Sequence, residues 1–179
     1  MNKILKSQLS GPSVWNANTF ENDDNWIYNF SDEELSEIDT ALKDLRAVNL
    51  AFPNFSKTDF HLPKLETRLN EFSNELENGR GFVVLRGLPV HRYNDDEVNT
   101  IYYGLGLNLG QPVSQNFNGV MIGTVMNVGD LEDKNTRVYQ TNLYLPYHTD
   151  PSDVVGLLCV RKATNGGLSS LVSVPAVYN

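Results

Sequence analysis

Cysteine is nearly absent from this sequence of 179 residues, with Cys159 the single example. One cysteine excludes any disulfide within the chain, which favours a reducing, cytoplasmic location. Cys159 lies inside an apolar stretch, so we expect a buried and chemically inert thiol. Apolar neighbours raise the pKa of a thiol, so a reactive nucleophile at this position is the less favoured interpretation.

Positive charge and long apolar runs are also scarce. The chain has 14 Lys and Arg against 22 Asp and Glu, a formal net charge of −8, and no basic stripe that could neutralise a nucleic-acid backbone. The longest apolar stretch, residues 154–160, is far too short to span a bilayer. With 40% hydrophobic residues the chain can bury one substantial core. We therefore expect a soluble protein with no nucleic-acid or membrane partner.

Three segments carry helix signals. Ser31 and Glu34 form a capping box before an apolar repeat of helical spacing, and a second repeat begins near Pro63 and ends at Gly79. A third cap, Asn94 with Glu97, precedes a helix terminated by glycines 106 and 110. Residues 1–30 lack any such period and are predicted to be a wrapping arm whose tryptophans pin it to the core, with residues 31–179 as the main domain.

One strand signal lies between the second and third helices, and strand signals dominate from Gln111 onward. Residues 81–87 are β-branched and bounded by glycines, typical of a strand buried on both faces, and residues 119–128, 154–160 and 168–174 are further candidates. Helices followed by strands favour an α+β fold with a β core.

The triplet His148-Thr149-Asp150 is the strongest candidate for chemistry. In an extended chain, residues two apart point the same way at about 6.6 Å, so an imidazole and a carboxylate can converge on one metal ion. Pro151 favours an extended conformation at Asp150. A second imidazole would complete a facial triad with open positions for a 2-oxo acid and dioxygen. The alternative is a surface histidine hydrogen-bonded to a nearby carboxylate.

The surrounding sequence resembles the taurine dioxygenase (TauD/TfdA) and clavaminate synthase-like family over essentially the whole chain. The resemblance rests on the run from Leu145 to Cys159, on Gly166-Gly167-Leu168-Ser169, on Ala176-Val177-Tyr178-Asn179, on Gly11-Pro12-Ser13 with Trp15, and on residues 81–87.

The resemblance implies a double-stranded β-helix, or jelly-roll, core with flanking helices and an Fe(II)- and 2-oxoglutarate-dependent dioxygenase activity. It implies that His148 and Asp150 bind iron and that Ser169 hydrogen-bonds 2-oxoglutarate, although a turn-closing serine is an equal alternative. The reaction would use dioxygen to oxidise, usually hydroxylate, a small organic substrate. Gln140 and Asn142 are candidates to face that substrate, with loop hydrogen bonding as the alternative role.

The family's third metal ligand and its 2-oxoglutarate-binding arginine find no counterpart downstream of His148. His61 and His91 lie in a turn and a loop and are poor substitutes. The chain therefore looks like a catalytic domain truncated before the distal half of the barrel, with an open edge that an oligomer or partner would cover. Two alternatives stay open: a non-catalytic remnant or partner-binding half-barrel, and a jelly-roll binding module in which His148 and Asp150 are structural.

Overall fold

The computed structural model describes residues 5–130, 132, 134, 136 and 138–179. The chain divides into two compact units, a first unit of Met1–Gln111 with Gly156–Asn179 and a second unit of Pro112–Val155. The regular secondary structure described lies mainly in the first unit. The second unit holds one 3-10 turn, Val138–Gln140, among otherwise irregular described residues.

Helix α1 spans Asp32–Ala47 and begins where its sequence predicts. The Ser31 hydroxyl accepts a hydrogen bond from the Glu34 amide, and the Glu34 carboxylate accepts one from the Ser31 amide at 2.8 Å. Glu34 is buried, and the Tyr28 hydroxyl also donates to its carboxylate. Burial raises the pKa of Glu34, but the hydrogen bonds from Tyr28 and Ser31 outweigh burial and hold that pKa below its ordinary value.

Helix α2 spans Glu66–Asn78, so it starts three residues later than Pro63. Leu65, its N-cap residue, has no side-chain capping bond. The carboxylate of Glu37 on α1 instead accepts the amides of Lys64 at 2.8 Å and Leu65 at 3.0 Å. The amino end of α2 is therefore capped by a different helix.

Helix α3 spans Asp95–Leu109, with the predicted capping box between Asn94 and Glu97. Gly110 ends it as expected, but Gly106 lies inside the helix and does not terminate it. Helix α3 packs against α1 and α2 around a buried core. The largest fully buried side chains of that core are Ile38, Leu45, Phe60, Leu65, Leu69 and Ile101.

A two-stranded parallel sheet lies beside the helices. Strand β1, Ile27–Asn29, pairs with strand β2, Val84–Arg86, with Ile27 opposite Val84. The strand predicted at residues 81–87 is confirmed at its centre. Its predicted burial on both faces is wrong, because Val84 and Leu85 are half-buried and Arg86 is exposed in a sheet with one neighbouring strand among the described residues.

Trp15 fixes the amino-terminal segment to this sheet. Its indole packs edge-on against Phe20 and Phe82, at 5.4 and 5.1 Å between ring centroids, and its Nε1 donates to the Arg80 carbonyl at 2.8 Å. This confirms the pinning role expected of a tryptophan in this segment. The boundary at residue 30 stays a prediction, and residues 1–4 of the arm lie outside the described residues.

Three predicted strands are absent from the described structure: no strand forms over residues 119–128, 154–160 or 168–174. A strand needs a hydrogen-bonded neighbour, and the described residues place no second ladder beside these segments. The prediction of a buried Cys159 is also wrong, because this cysteine is exposed on the irregular 154–160 segment. After that segment, Ser173 caps a short helix, α4, at Val174–Tyr178.

Among the described residues, no helix is both long enough and apolar enough to cross a lipid bilayer.

Candidate metal centre

His148 and Asp150 lie close together in the second unit, outside any helix or strand. His148 Nε2 is 3.9 Å from Asp150 Oδ1, and the two side chains are 49% and 48% exposed. A hydrogen bond would require about 3.2 Å or less, so the geometry does not match the alternative of a histidine simply hydrogen-bonded to a carboxylate. The strand predicted at Asp150 does not form, yet the two side chains converge as the spacing predicts.

The tautomer of His148 leaves Nε2 available to a metal. Its Nδ1 lies 2.8 Å from the carbonyl oxygen of Pro146. A carbonyl can only accept, so in the neutral imidazole the proton sits on Nδ1 and the Nε2 lone pair points outward. In metal-binding histidines, the N–H of the second ring nitrogen characteristically donates a hydrogen bond to a carboxylate, a backbone carbonyl or water.

The distance between the pair fits a shared ion after a small adjustment. Nitrogen and oxygen ligands lie about 2.1 Å from a first-row divalent ion, so two adjacent ligands at right angles are about 3 Å apart. His148 and Asp150 would need to approach by about 0.9 Å to share an ion, and both side chains are about half exposed. One imidazole and one carboxylate are two of the three protein donors in the facial triad of non-haem iron sites.

Among the described residues, no third ligand lies near this pair. Across the part of the chain that the structure describes, no group of three or more His, Cys, Asp and Glu could hold a metal ion. His61 and His91 are exposed and belong to the first unit, His91 within the 3-10 turn Val90–Arg92.

The other candidate residues occupy different settings. The Gln140 carbonyl accepts the amides of Val128 at 3.0 Å and Gly129 at 2.7 Å, which ties two parts of the second unit together. Asn142 is exposed two residues further along. The structure thus gives Gln140 a loop-anchoring role through its main chain, while a substrate contact stays a prediction.

Ser169 belongs to the first unit and is exposed. The glycine pair before it has φ angles of 72° at Gly166 and 69° at Gly167. These values lie in the left-handed region that side chains disfavour, so the turn requires glycine at two successive positions. Ser169 follows this glycine pair by two residues.

Sequence reasoning missed one contributor, the carbonyl of Pro146. It fixes the His148 ring, but a main-chain carbonyl leaves no signal of its own in a sequence. Its place two residues before a candidate ligand is the only available clue.

The family described as "Taurine catabolism dioxygenase TauD, TfdA family" matches residues 46–179. The chain belongs to this family. Membership confirms the resemblance predicted above and implies a jelly-roll fold. The described residues themselves form helices and a two-stranded parallel sheet.

Two relatives align with almost all of the TauD/TfdA-family chain. FR-33289 synthase from Streptomyces rubellomurinus (strain ATCC 31215) is 30% identical over 181 residues, covering 100% of this chain and 53% of the relative. A taurine hydroxylase-like protein from Stachybotrys chartarum (strain CBS 109288 / IBT 7711) is 27% identical over 188 residues, which cover 98% of this chain and 48% of the relative. The chain thus spans about half the length of these relatives.

Proposed function

We propose that this chain supplies His148 and Asp150 as two of the three protein ligands to Fe(II) in a 2-oxoglutarate-dependent dioxygenase that oxidises a small organic substrate. The carrying observation is the convergence of His148 Nε2 and Asp150 Oδ1 at 3.9 Å, with Nδ1 of the same ring held by the Pro146 carbonyl. Membership of a dioxygenase family supports the choice of iron over a closed zinc site.

Each residue has a defined task in this proposal. His148 gives its Nε2 lone pair to the ion, Asp150 gives a carboxylate oxygen, and Pro146 keeps the imidazole proton on Nδ1. Ser169 would donate its hydroxyl proton to a 2-oxoglutarate carboxylate, and Gln140 and Asn142 would contact the substrate. When bound, iron and 2-oxoglutarate supply dioxygen activation coupled to decarboxylation of the 2-oxo acid.

The centre also needs a third ligand and a partner for the distal carboxylate of 2-oxoglutarate. The described residues bring no third His, Cys, Asp or Glu to His148 and Asp150. We propose that both groups belong to the part of the family's jelly roll that these 179 residues do not span, since the relatives are about twice as long. On this basis residues 1–179 alone bind Fe(II) weakly and do not turn over substrate.

Anaerobic titration of residues 1–179 tests the metal assignment. Mn(II), a paramagnetic substitute for Fe(II), should broaden nuclear magnetic resonance signals around residues 146–150. Asp150→Ala and His148→Ala should each abolish this localised broadening, because one remaining ligand holds an ion far more weakly. His61→Ala and His91→Ala are matched controls that should leave it unchanged.

Two results would count against the proposal. If Asp150→Ala left the localised broadening intact, His148 and Asp150 would be structural and the binding-module alternative would be favoured. If Fe(II) and 2-oxoglutarate gave residues 1–179 a strong charge-transfer band, the centre would already be complete and the requirement for further ligands would be wrong.

A second candidate function, binding of a partner chain, is favoured by exposed apolar side chains. Among the described residues, every large hydrophobic side chain that is exposed comes after residue 112, apart from Leu5 and Val48. Phe117 is fully exposed, and Leu168 and Leu157 are 90% and 76% exposed. Surface of this kind marks an interaction site or an aggregation liability. Sedimentation velocity over a range of concentrations would detect self-association, and a monomer at every concentration would exclude a second copy as the partner.

A further inference from the structure

Four hydrogen bonds join the two ends of the described chain inside the first unit. Asn179 uses its whole amide group: Oδ1 accepts the Leu9 amide at 2.7 Å and Nδ2 donates to the Leu9 carbonyl at 2.9 Å. The Tyr178 hydroxyl donates to the Leu5 carbonyl, and the Ser173 hydroxyl donates to the Ser13 carbonyl. We call residues 5–13 the amino-terminal strap, and Ser173, Tyr178 and Asn179 the clasp.

The strap is held through its main chain and hardly at all by burial. In all four bonds the strap contributes a backbone amide or carbonyl, and the clasp contributes a side chain. Leu9 and Ser13 are partly covered, while every other strap residue is exposed. A segment with so little buried apolar surface depends on its hydrogen bonds to stay closed.

The residues on either side of this arrangement are firmly fixed. Trp15, two residues after the strap, is held by its bond to the Arg80 carbonyl and by its packing against Phe82. On the clasp side, Ser173 is only 4% exposed and its hydroxyl also accepts the Ala176 amide, so it starts α4 and binds the strap at once.

Ser13 of the strap and Ser173 of the clasp both line a mostly apolar cavity of about 230 Å³. Ser13 and Trp15 line one part of it, residues 80–82 another, and residues 171–175 the rest. Releasing Ser13 from Ser173 would therefore open this cavity on the strap side.

We propose that residues 5–13 act as a strap that borders this cavity at Ser13, is held closed by side-chain recognition of its main chain, and opens about Trp15 while the remainder of the first unit stays folded. The device works without any specific strap sequence, because the clasp contacts only groups that every residue except proline carries. Opening would change access to the cavity without unfolding helices α1, α2 or α3.

Amide hydrogen exchange resolved by residue tests the strap. Asn179→Ala removes both bonds to Leu9, so exchange over residues 5–13 should rise roughly tenfold, with the Leu9 amide most affected. Asn179→Asp keeps an acceptor for the Leu9 amide and should raise its exchange less. Tyr178→Phe removes the hydrogen bond to the Leu5 carbonyl, so it should raise amide exchange mainly in the residues next to Leu5. The tryptophan fluorescence, which comes from Trp15 and Trp26, should stay unchanged in all three variants.

Asn78→Ala is the matched control, because Asn78 is an exposed asparagine whose side chain donates to Asn74 at 3.0 Å within α2, and its loss should leave strap exchange unaltered. Unchanged exchange over residues 5–13 in Asn179→Ala would overturn the proposal. It would also be overturned if exchange rose equally in α1, α2 and α3, because the clasp would then support the fold as a whole and would not gate a separate segment.

Discussion

Replacing Gly104 by alanine should destabilise the first unit although alanine favours helices. A Cβ atom at this position would lie 2.3 Å from Phe60 Cδ1 and 2.6 Å from both Cε1 and Cγ of that ring. Carbon atoms normally pack at about 3.5 Å or more, so the ring would have to retreat by about 1.2 Å. Phe60 is 0% exposed and lies 5.9 Å from the Phe55 ring, which leaves it little room to move.

The magnitude follows from two opposing effects. Overpacking of a filled core costs about 1–3 kcal/mol, and exchanging glycine for alanine inside a helix returns about 0.8–1 kcal/mol. Three ring atoms are affected and the ring is rigid, so we expect the free energy of unfolding to fall by about 1–2 kcal/mol. Urea unfolding followed by far-ultraviolet circular dichroism measures this change.

Gly106→Ala on the same helix is the control. A Cβ there would meet no heavy atom within 4 Å, so this variant should match or exceed the wild type in stability. Both variants share the helix-propensity gain, so the difference between them, about 1–3 kcal/mol, isolates the clash. A Gly104→Ala protein as stable as Gly106→Ala would refute the reasoning. Adding Phe60→Leu to Gly104→Ala should cost less than Phe60→Leu alone, because the two sites share one space.

Further predictions concern caps and titration in the first unit. Ser31→Ala should lower the free energy of unfolding by about 1 kcal/mol, whereas Ser36→Ala on the exposed face of α1 should not; equal effects in urea unfolding would discount the capping box. Glu37→Gln keeps one acceptor oxygen and loses the charge, so it should cost about 1 kcal/mol, and amide exchange at the start of α2 should accelerate. Burial, with a hydrogen bond to Asp39, raises the pKa of Tyr93 to about 12 from 10.0. The stability that the phenol contributes is thus fully present below pH 10 and lost as pH rises towards 12, so the advantage of wild type over Tyr93→Phe should shrink in that window; a pH-independent difference would contradict it.

The helices were predictable because their signals are local. Ser31 with Glu34 and Asn94 with Glu97 lie three residues apart, and the structure places each box where the sequence indicates. The start of α2 was misplaced because its cap comes from Glu37, 27 residues before Lys64, and no local pattern encodes that bond.

The strands were predicted less well for a related reason. Residues 154–160 have the composition of a buried strand, but composition cannot supply the neighbour that a ladder needs. Strand β2 forms because β1 lies beside it, and β1 itself had no sequence signal strong enough to be recognised. The candidate centre was predictable in part. The two-residue spacing indicated that His148 and Asp150 would lie close together, but no sequence pattern indicated that the Pro146 carbonyl orients the His148 ring.

The hydrogen bonds from the Lys64 and Leu65 amides to Glu37 make the start of α2 depend on another helix. A helix that carries its own start signal can nucleate while the rest of the chain is still disordered, as α1 and α3 are equipped to do. Helix α2 borrows its first acceptor from a neighbour, so its opening turn is completed only once α1 has formed and docked. The Glu37 carboxylate thereby makes the capping of α2 depend on the presence of α1.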